Sequence, residues 1–408
     1  MIDAGTSKGI FCAVLDVQPS LSVADGFAPR VYHFLKAITE EWGLHVVAIK
    51  KEENDWTVEN FLPEEIPGKV TIIDAGENPL IASGLAGKVR RLKHLLWPRN
   101  IGGAHPQVTP AITKTIRSKS PEVVCYFLPR LCHLGSAAPL ESMRVYILEE
   151  GFERVANLTG DRARWKSAWM RNVETTAAER LYRRIGSERA LVIAISNFEE
   201  QYFRKHIPNG RISVVEHCVD VNYYTPVETN QDFDVIVCGL LAHRRNFEPI
   251  LQLIRLINDL GGEATQLRWL LVGKEPPDEI RKLQSERITV TGAVEDVRPY
   301  YHRAKVVVVP AMDGCGVKTT VLQAWAMRKP VVATTFAVNG IPALDGKNIL
   351  VAADLKALAI KILRLVKERE LRDRVAEEGF RTCHRERNTT LLGRRFVDAV
   401  RSAQRKHR

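Results

Sequence analysis

Gly314, Gly316 and Lys318 alternate along a short turn, with Cys315, Val317 and Thr319 between and after them. Glycine lets the backbone come close to a bound group, and the free N–H groups that open a following helix favour an anion. Lys318 is expected to add a full positive charge one turn into that helix. Such a turn suits a phosphorylated ligand. Two apolar runs, Val306–Val309 and Val331–Ala333, flank it, with an amphipathic segment before the second run. A strand, turn, helix, strand unit puts the turn at the carboxyl edge of a parallel sheet, where ligands of open α/β proteins bind. The spacing around Gly316 and Lys318 is not that of the triphosphate loop G-x-x-x-x-G-K-[ST]. Glycine and lysine are not adjacent, so the backbone cradle falls out of register.

Other residues could contact a second substrate. His33, His133, His217 and His243 are candidates, and His133, Glu149 and Glu150 follow strands of the first half. Asp25-Gly26 is a turn signal after the first strand. Arg244 and Arg245 precede a helix expected over 246–260. No Asp-x-Asp pair suited to Mg²⁺ is recognised, and neither a metal nor a cofactor is expected.

At 408 residues the chain suits two domains. Its 45% hydrophobic and 26% charged residues are those of a globular protein. The net charge of +11 favours acidic partners, phosphorylated substrates among them. No nucleic-acid module is recognised, and no nucleic-acid partner is expected. The seven cysteines form no C-x-x-C pair and several sit in apolar runs, which points to small buried side chains in a reducing compartment. The polar N-terminus lacks a signal-peptide core and no run is long enough to span a bilayer, so a cytoplasmic location is expected. Residues 85–99 form a basic amphipathic stretch with Val89, Leu92, Leu95 and Leu96 on one face and Lys88, Arg90, Arg91 and Lys93 on the others. Such a helix can lie on an anionic membrane surface, at the inner face for a cytoplasmic protein, or pack on its own domain. Trp165 and Trp169, one helical turn apart among basic residues, raise the same choice.

The elements that must carry these groups alternate. Strands are expected at 10–17, 44–49, 70–73, 122–128, 144–148 and 190–195, with helices over 30–42 and 163–185. The second half, opening near Ile212, has strands at 233–238, 267–272, 288–290, 305–309 and 330–333 and helices over 246–260 and 353–366. The polar segment Glu228–Asp232 reads as a linker. Short, nearly continuous apolar runs indicate parallel strands covered on both faces, hence two successive doubly wound units.

Several motifs together carry a family resemblance. Ile212–Pro226, Val235–Asn246, Leu270–Lys274, Val290–Asp296 and Leu322–Thr334, with Asn339-Gly-Ile341 and Gly346, occur in the order found in the C-terminal half of family 4 glycosyltransferases. The form Gly314-x-Gly316-x-Lys318 is similar to a branch associated with exopolysaccharide synthesis. In the first half, the loop from Gln18 through Asp25 and Gly26 to Arg30 resembles the family's glycine-containing loop near the sugar and diphosphate. The segment Ser196–Glu199 is similar to its S-x-x-E element.

The resemblance implies an α/β protein of the GT-B fold, two facing Rossmann-like doubly wound domains with a cleft between them. It sets an acceptor-side domain at 1–210, a nucleotide-sugar domain at 211–387, and a basic helix at 388–408 crossing back to the first. It implies a retaining, metal-independent transfer from a nucleotide-diphosphate sugar to a glycan, lipid-linked or small-molecule acceptor. Lys318, Arg244 and Arg245 would hold the diphosphate. Gln323 would take the ribose, the Asp25-Gly26 loop would close over the sugar, and Gly239, Gly314, Cys315, Gly316, Val317 and Thr319 would line the donor. The chain departs from the family where a Glu-x7-Glu pair is usual, holding Cys315 and Gln323, and again at Leu240 and Asn246, where Arg and Lys are common. Those departures leave two further readings: another sugar-nucleotide enzyme of this fold, or a binding or scaffold protein.

Overall fold

A computed structural model of the chain describes residues 8–20, 28–50, 54–75, 108–127, 129–148, 168–187, 189–313 and 316–405. They form two compact units: the first takes the described residues up to Val215 together with those from Leu392, and the second takes Glu216–Leu391.

The first unit runs β1 (Ile10–Leu15), α1 (Ala28–Glu41), β2 (Gly43–Lys50), β3 (Lys69–Asp74), α2 (Thr109–Ser118), β4 (Val123–Tyr126), β5 (Met143–Leu148), α3 (Ala168–Ser187), β6 (Ala190–Ala194), α4 (Asn197–His206) and β7 (Arg211–Val214). Its seven strands lie in the order β3-β2-β1-β4-β5-β6-β7 and every pairing is parallel. The apolar runs read as strands because both faces are covered: Phe11 to Leu15 and Val145 to Leu148 are all inaccessible to solvent. Successive connections run outward to one side from β1 and to the other from β4, so the order reverses between these neighbours.

The second unit contains β8 (Phe233–Cys238), α5 (Arg244–Asp259), β9 (Trp269–Val272), β10 (Ile288–Gly292), α6 (Arg298–His302), β11 (Ala304–Val309), α7 (Thr319–Ala326), β12 (Val331–Thr334), β13 (Leu350–Ala352), α8 (Leu355–Lys367) and α9 (Arg369–Glu386). Its parallel sheet has the order β10-β9-β8-β11-β12-β13, with the reversal between β8 and β11.

A last helix, α10 (Thr389–Arg405), ends the described chain. Its Phe396 ring lies 4.4 Å from Phe34 and 6.3 Å from Phe11, both in the first unit. Gly393 permits the approach to α1, since a Cβ there would meet the Ala37 Cβ at 2.6 Å. Arg401 reaches Glu41 at 2.8 Å and lies 4.2 Å over the Trp42 ring.

The turn of chain between the units differs from the expected position. Arg211–Val214 pairs in parallel with β6, so the Ile212 motif closes the first sheet and the second unit opens at Glu216. Glu228–Asp232 is an exposed loop leading into β8 within the second unit, not a linker between units.

Lys329 follows α7 and is buried. Its Nζ donates to the carbonyls of His302 at 2.8 Å and Ala304 at 3.1 Å, joining α6 to the start of β11. Burial, reinforced by Arg372, pushes its pKa down to about 8 from 10.5. Between those values the unfolded chain holds a proton that the folded chain has released, so stability must rise with pH across the window. The urea midpoint should climb more steeply from pH 8 to 10.5 in the wild type than in Lys329→Met. Equal climbs would refute the assignment.

Candidate functional site

The second unit offers the chemistry first read in the sequence at the reversal point of its sheet, where the carboxyl ends of β8 and β11 lie side by side. Gly239 follows β8 with φ 156° and its N–H donates to Val272 O at 3.0 Å. Gly273 follows β9 directly beneath it, and any Cβ on Gly273 would collide with the Gly239 carbonyl. Glycine is thus needed at 273 for the close approach, and at 239 for the backbone angle, since a Cβ there would meet only open space. The loop beyond Gly239 is closed by Asn246, whose Nδ2 donates to Leu240 O at 2.7 Å.

After β11, the described part of the turn resumes at Gly316 in the left-handed region, φ 72°. Val317 and Thr319 are half-buried. Lys318 is the N-cap residue of α7, not a residue one turn inside it, and its own side chain makes no capping bond. The Lys318 backbone therefore opens the helix, and a cation carried there adds to the positive end of the helix dipole. Its Nζ lies 5.9 Å from the centre of the Phe336 ring, on the loop after β12. That loop is tied back by Thr334, whose hydroxyl donates to Ala311 O and accepts from Ala337 N at 3.2 Å. Gly314 and Cys315 lie outside the described residues.

Gln323, one turn into α7, is half-buried and bonded at both ends of its carboxamide. Nε2 donates to the Tyr224 hydroxyl at 2.9 Å, and Oε1 accepts from the Tyr301 hydroxyl at 3.5 Å. Burial drives the phenol pKa of both tyrosines well up, keeping them protonated as hydrogen-bonding groups. The Cys238 thiol is likewise pushed up to about 11 by burial. Neither tyrosine was singled out by the sequence reading, although Tyr224 belongs to the quoted segment ending at Pro226.

Arg244 and Arg245 occupy the first turn of α5 and not the loop before it. Arg244 is exposed and bonds Glu248 one turn on, through Nη2 to Oε1 at 3.2 Å and a shorter Nε contact. Arg245 is half-buried. His243 is the N-cap residue of the helix. An Asp-x-Asp pair does exist, Asp232 and Asp234, but it stands at the amino end of β8. Each carboxylate is held by a cation, Arg303 at 2.9 Å and Lys305 at 2.8 Å.

In the first unit, the reversal point lies between β1 and β4. His133 sits in a 3₁₀ segment, Pro129–Ala137, after β4; it is buried, and its carbonyl accepts from Arg184 Nη2 at 3.3 Å. Buried Asp16 follows β1, and buried Ser196 and Glu199 follow β6, with Ser196 capping α4 by accepting from Glu199 N at 3.2 Å. Position after a strand end was the signal that could have added Asp16. Asp25, Gly26, Glu149, Glu150, the 85–99 stretch, Trp165 and the Trp169 side chain lie outside the described residues. Among the described residues, no helix is long and apolar enough to cross a membrane.

Comparison with known proteins agrees with this architecture. The family model described as glycosyl transferases group 1 matches residues 232–368, the greater part of the second unit. No curated protein sequence matches the chain. Among solved structures, the sucrose-phosphate synthase of Thermosynechococcus elongatus is similar with a TM-score of 0.74 at 16% identity, covering 97% of this chain and 98% of its own. Anabaena HepE, solved with UDP and glucose, gives 0.66 at 14%, covering 96% and 99%. A mutant of S. aureus TarM, solved with UDP, alpha-GlcNAc-glycerol and Fondaparinux, gives 0.67 at 8%, covering 96% and 99%. The chain has the GT-B fold, two Rossmann-like parallel-sheet units.

Proposed function

We propose that the protein is a glycosyltransferase that moves a sugar from a nucleotide-diphosphate donor to a glycan or lipid-linked acceptor, with retention and without a metal. The observation carrying this reading is Lys318 at the N-cap of α7, on the reversal point of the sheet, within the segment matched by the glycosyl transferases group 1 model. Anabaena HepE and S. aureus TarM, which share the fold, bind UDP.

In this reaction the bond between the anomeric carbon and the diphosphate oxygen breaks, and its electron pair stays on the nucleoside diphosphate. Lys318, the opening N–H groups of α7 and the arginines of α5 meet that growing charge, which is commonly the largest catalytic contribution. Each charge-assisted hydrogen bond is worth about 1.5–3 kcal/mol, so two such bonds lower the barrier by several kcal/mol, about 10³-fold or more in rate. The acceptor hydroxyl bonds to the anomeric carbon, and its proton passes to an oxygen of the departing phosphate, which makes a protein base unnecessary. Gln323 offers the ribose a donor and an acceptor at once. In the first unit, His133 and the Asp25-Gly26 loop are assigned to the acceptor and the transferred sugar.

Calorimetric titration with UDP, GDP and TDP, followed by turnover assays with the matching sugar nucleotides in the presence of EDTA, tests the proposal. Binding of one diphosphate and acceptor-dependent turnover insensitive to EDTA are expected. Binding without turnover on any acceptor would make the protein a sugar-nucleotide binding protein, and no binding would reject the site.

A further inference from the structure

We propose that Tyr224 is a positioning residue: its hydroxyl fixes the carboxamide of Gln323 so that the site prefers ribonucleotides to their 2′-deoxy counterparts. The inference rests on the assignment of Gln323 to the ribose made above.

Tyr224 lies ninety-nine positions before Gln323, yet its hydroxyl is the closer of the two phenols that hold the amide. It is buried, 3% exposed. A phenylalanine would fill such a site with no polar group to desolvate, so a buried hydroxyl there is offset only by the bond it makes. The tyrosine is itself held still. Asp220 Oδ1 accepts from the N–H groups of Asn222 at 2.9 Å and Tyr223 at 3.1 Å. Arg298 Nη1 donates to Tyr223 O at 3.1 Å, its guanidinium stacks 3.8 Å over the Tyr223 ring, and Asp296 grips it at 2.7 Å. The order thus passes from an ion pair at the start of α6, through the Tyr223-Tyr224 backbone, to one side chain of α7.

A carboxamide has two N–H donors and one carbonyl with two lone pairs. Tyr224 takes one N–H and Tyr301 takes one lone pair, which leaves one donor and one acceptor site for a pair of ribose hydroxyls. An amide already set in this way does not lose rotamer freedom when the ligand arrives. Remove the Tyr224 hydroxyl, and the amide is held only by the longer contact to Tyr301.

The test compares UDP with 2′-deoxy-UDP and GDP with 2′-deoxy-GDP by calorimetry on the wild type, Tyr224→Phe, Gln323→Ala and the double variant. In the wild type the bound ribonucleotide should be favoured over its deoxy form by about tenfold, one hydrogen bond's worth. In Tyr224→Phe the preference should shrink to within about twofold, with deoxynucleotide affinity unchanged. Gln323→Ala should abolish the preference as well, and the double variant should add nothing, as residues acting through one another do. Equal weakening of both nucleotides in Tyr224→Phe would reveal a packing role and overturn the inference. So would a preference retained in Gln323→Ala, a comparison that stands even if Tyr224→Phe folds poorly. A wild type that binds without preference rejects this inference alone, whereas a wild type that binds no diphosphate rejects the proposed function and this inference together.

Discussion

Lys318→Ala weakens nucleotide-diphosphate binding by about 10- to 100-fold, the range of one charge-assisted hydrogen bond, and leaves the melting temperature nearly unchanged. The asymmetry follows from the position. Lys318 is only half-buried and gives α7 no side-chain capping bond, so its replacement opens no core cavity and removes no helix cap. For a diphosphate the same position matters greatly, because a cation at the N-cap reinforces the anion preference of the helix's opening N–H groups. Lys318→Arg should recover most of the affinity, since charge is kept and the guanidinium brings more donors. A calorimetric loss of less than about threefold in Lys318→Ala would remove this residue from the diphosphate site.

The second large effect arises from a residue with no functional group. Gly273→Ala places a methyl against the carbonyl of Gly239, a backbone atom that cannot swing aside as a side chain would. The strand end after β9 or the loop after β8 must move. Overpacking of this kind costs about 1–3 kcal/mol in a tight interior, and here the strain falls on the loop that leads to Arg244 and Arg245. Urea unfolding should show that loss in the second unit, accompanied by a drop in nucleotide affinity. As a control, Gly262→Ala on the distant turn after α5 strains only its own φ of 56°, with open space around the new methyl. It should lower stability without touching nucleotide binding. If Gly273→Ala binds nucleotide as the wild type does, the stacked glycines are not part of the site.

Much of this architecture could be read from residues alone, for a physical reason. Strands such as Phe11–Leu15 and Val306–Val309 are sealed on both faces, so the sequence must write them as unbroken apolar runs. β7 escaped because it is an edge strand with every residue half-exposed, and β13 because three residues make no pattern. Helix starts were placed less well. Asn246 is a residue type that commonly caps helices, yet its side chain folds back to Leu240 O and α5 begins two residues earlier, carrying both arginines into the helix. Thr319 and Thr320 likewise obscure where α7 begins, which shifted Lys318 from the first turn to the cap. The clamp on Gln323 was out of reach for a different cause. Its partners come from the segment before β8 and from α6, and no periodicity connects residues that meet only through tertiary packing.

In the proposed reaction the cap of α7 grips the diphosphate of an activated sugar. A crystal structure of the protein with UDP or GDP bound tests it most directly. The expected result is a diphosphate at the carboxyl ends of β8 and β11, with Lys318 Nζ and the first N–H groups of α7 within hydrogen-bonding distance of its oxygens. A nucleotide seated elsewhere, or one whose phosphates leave Lys318 untouched, would contradict the account.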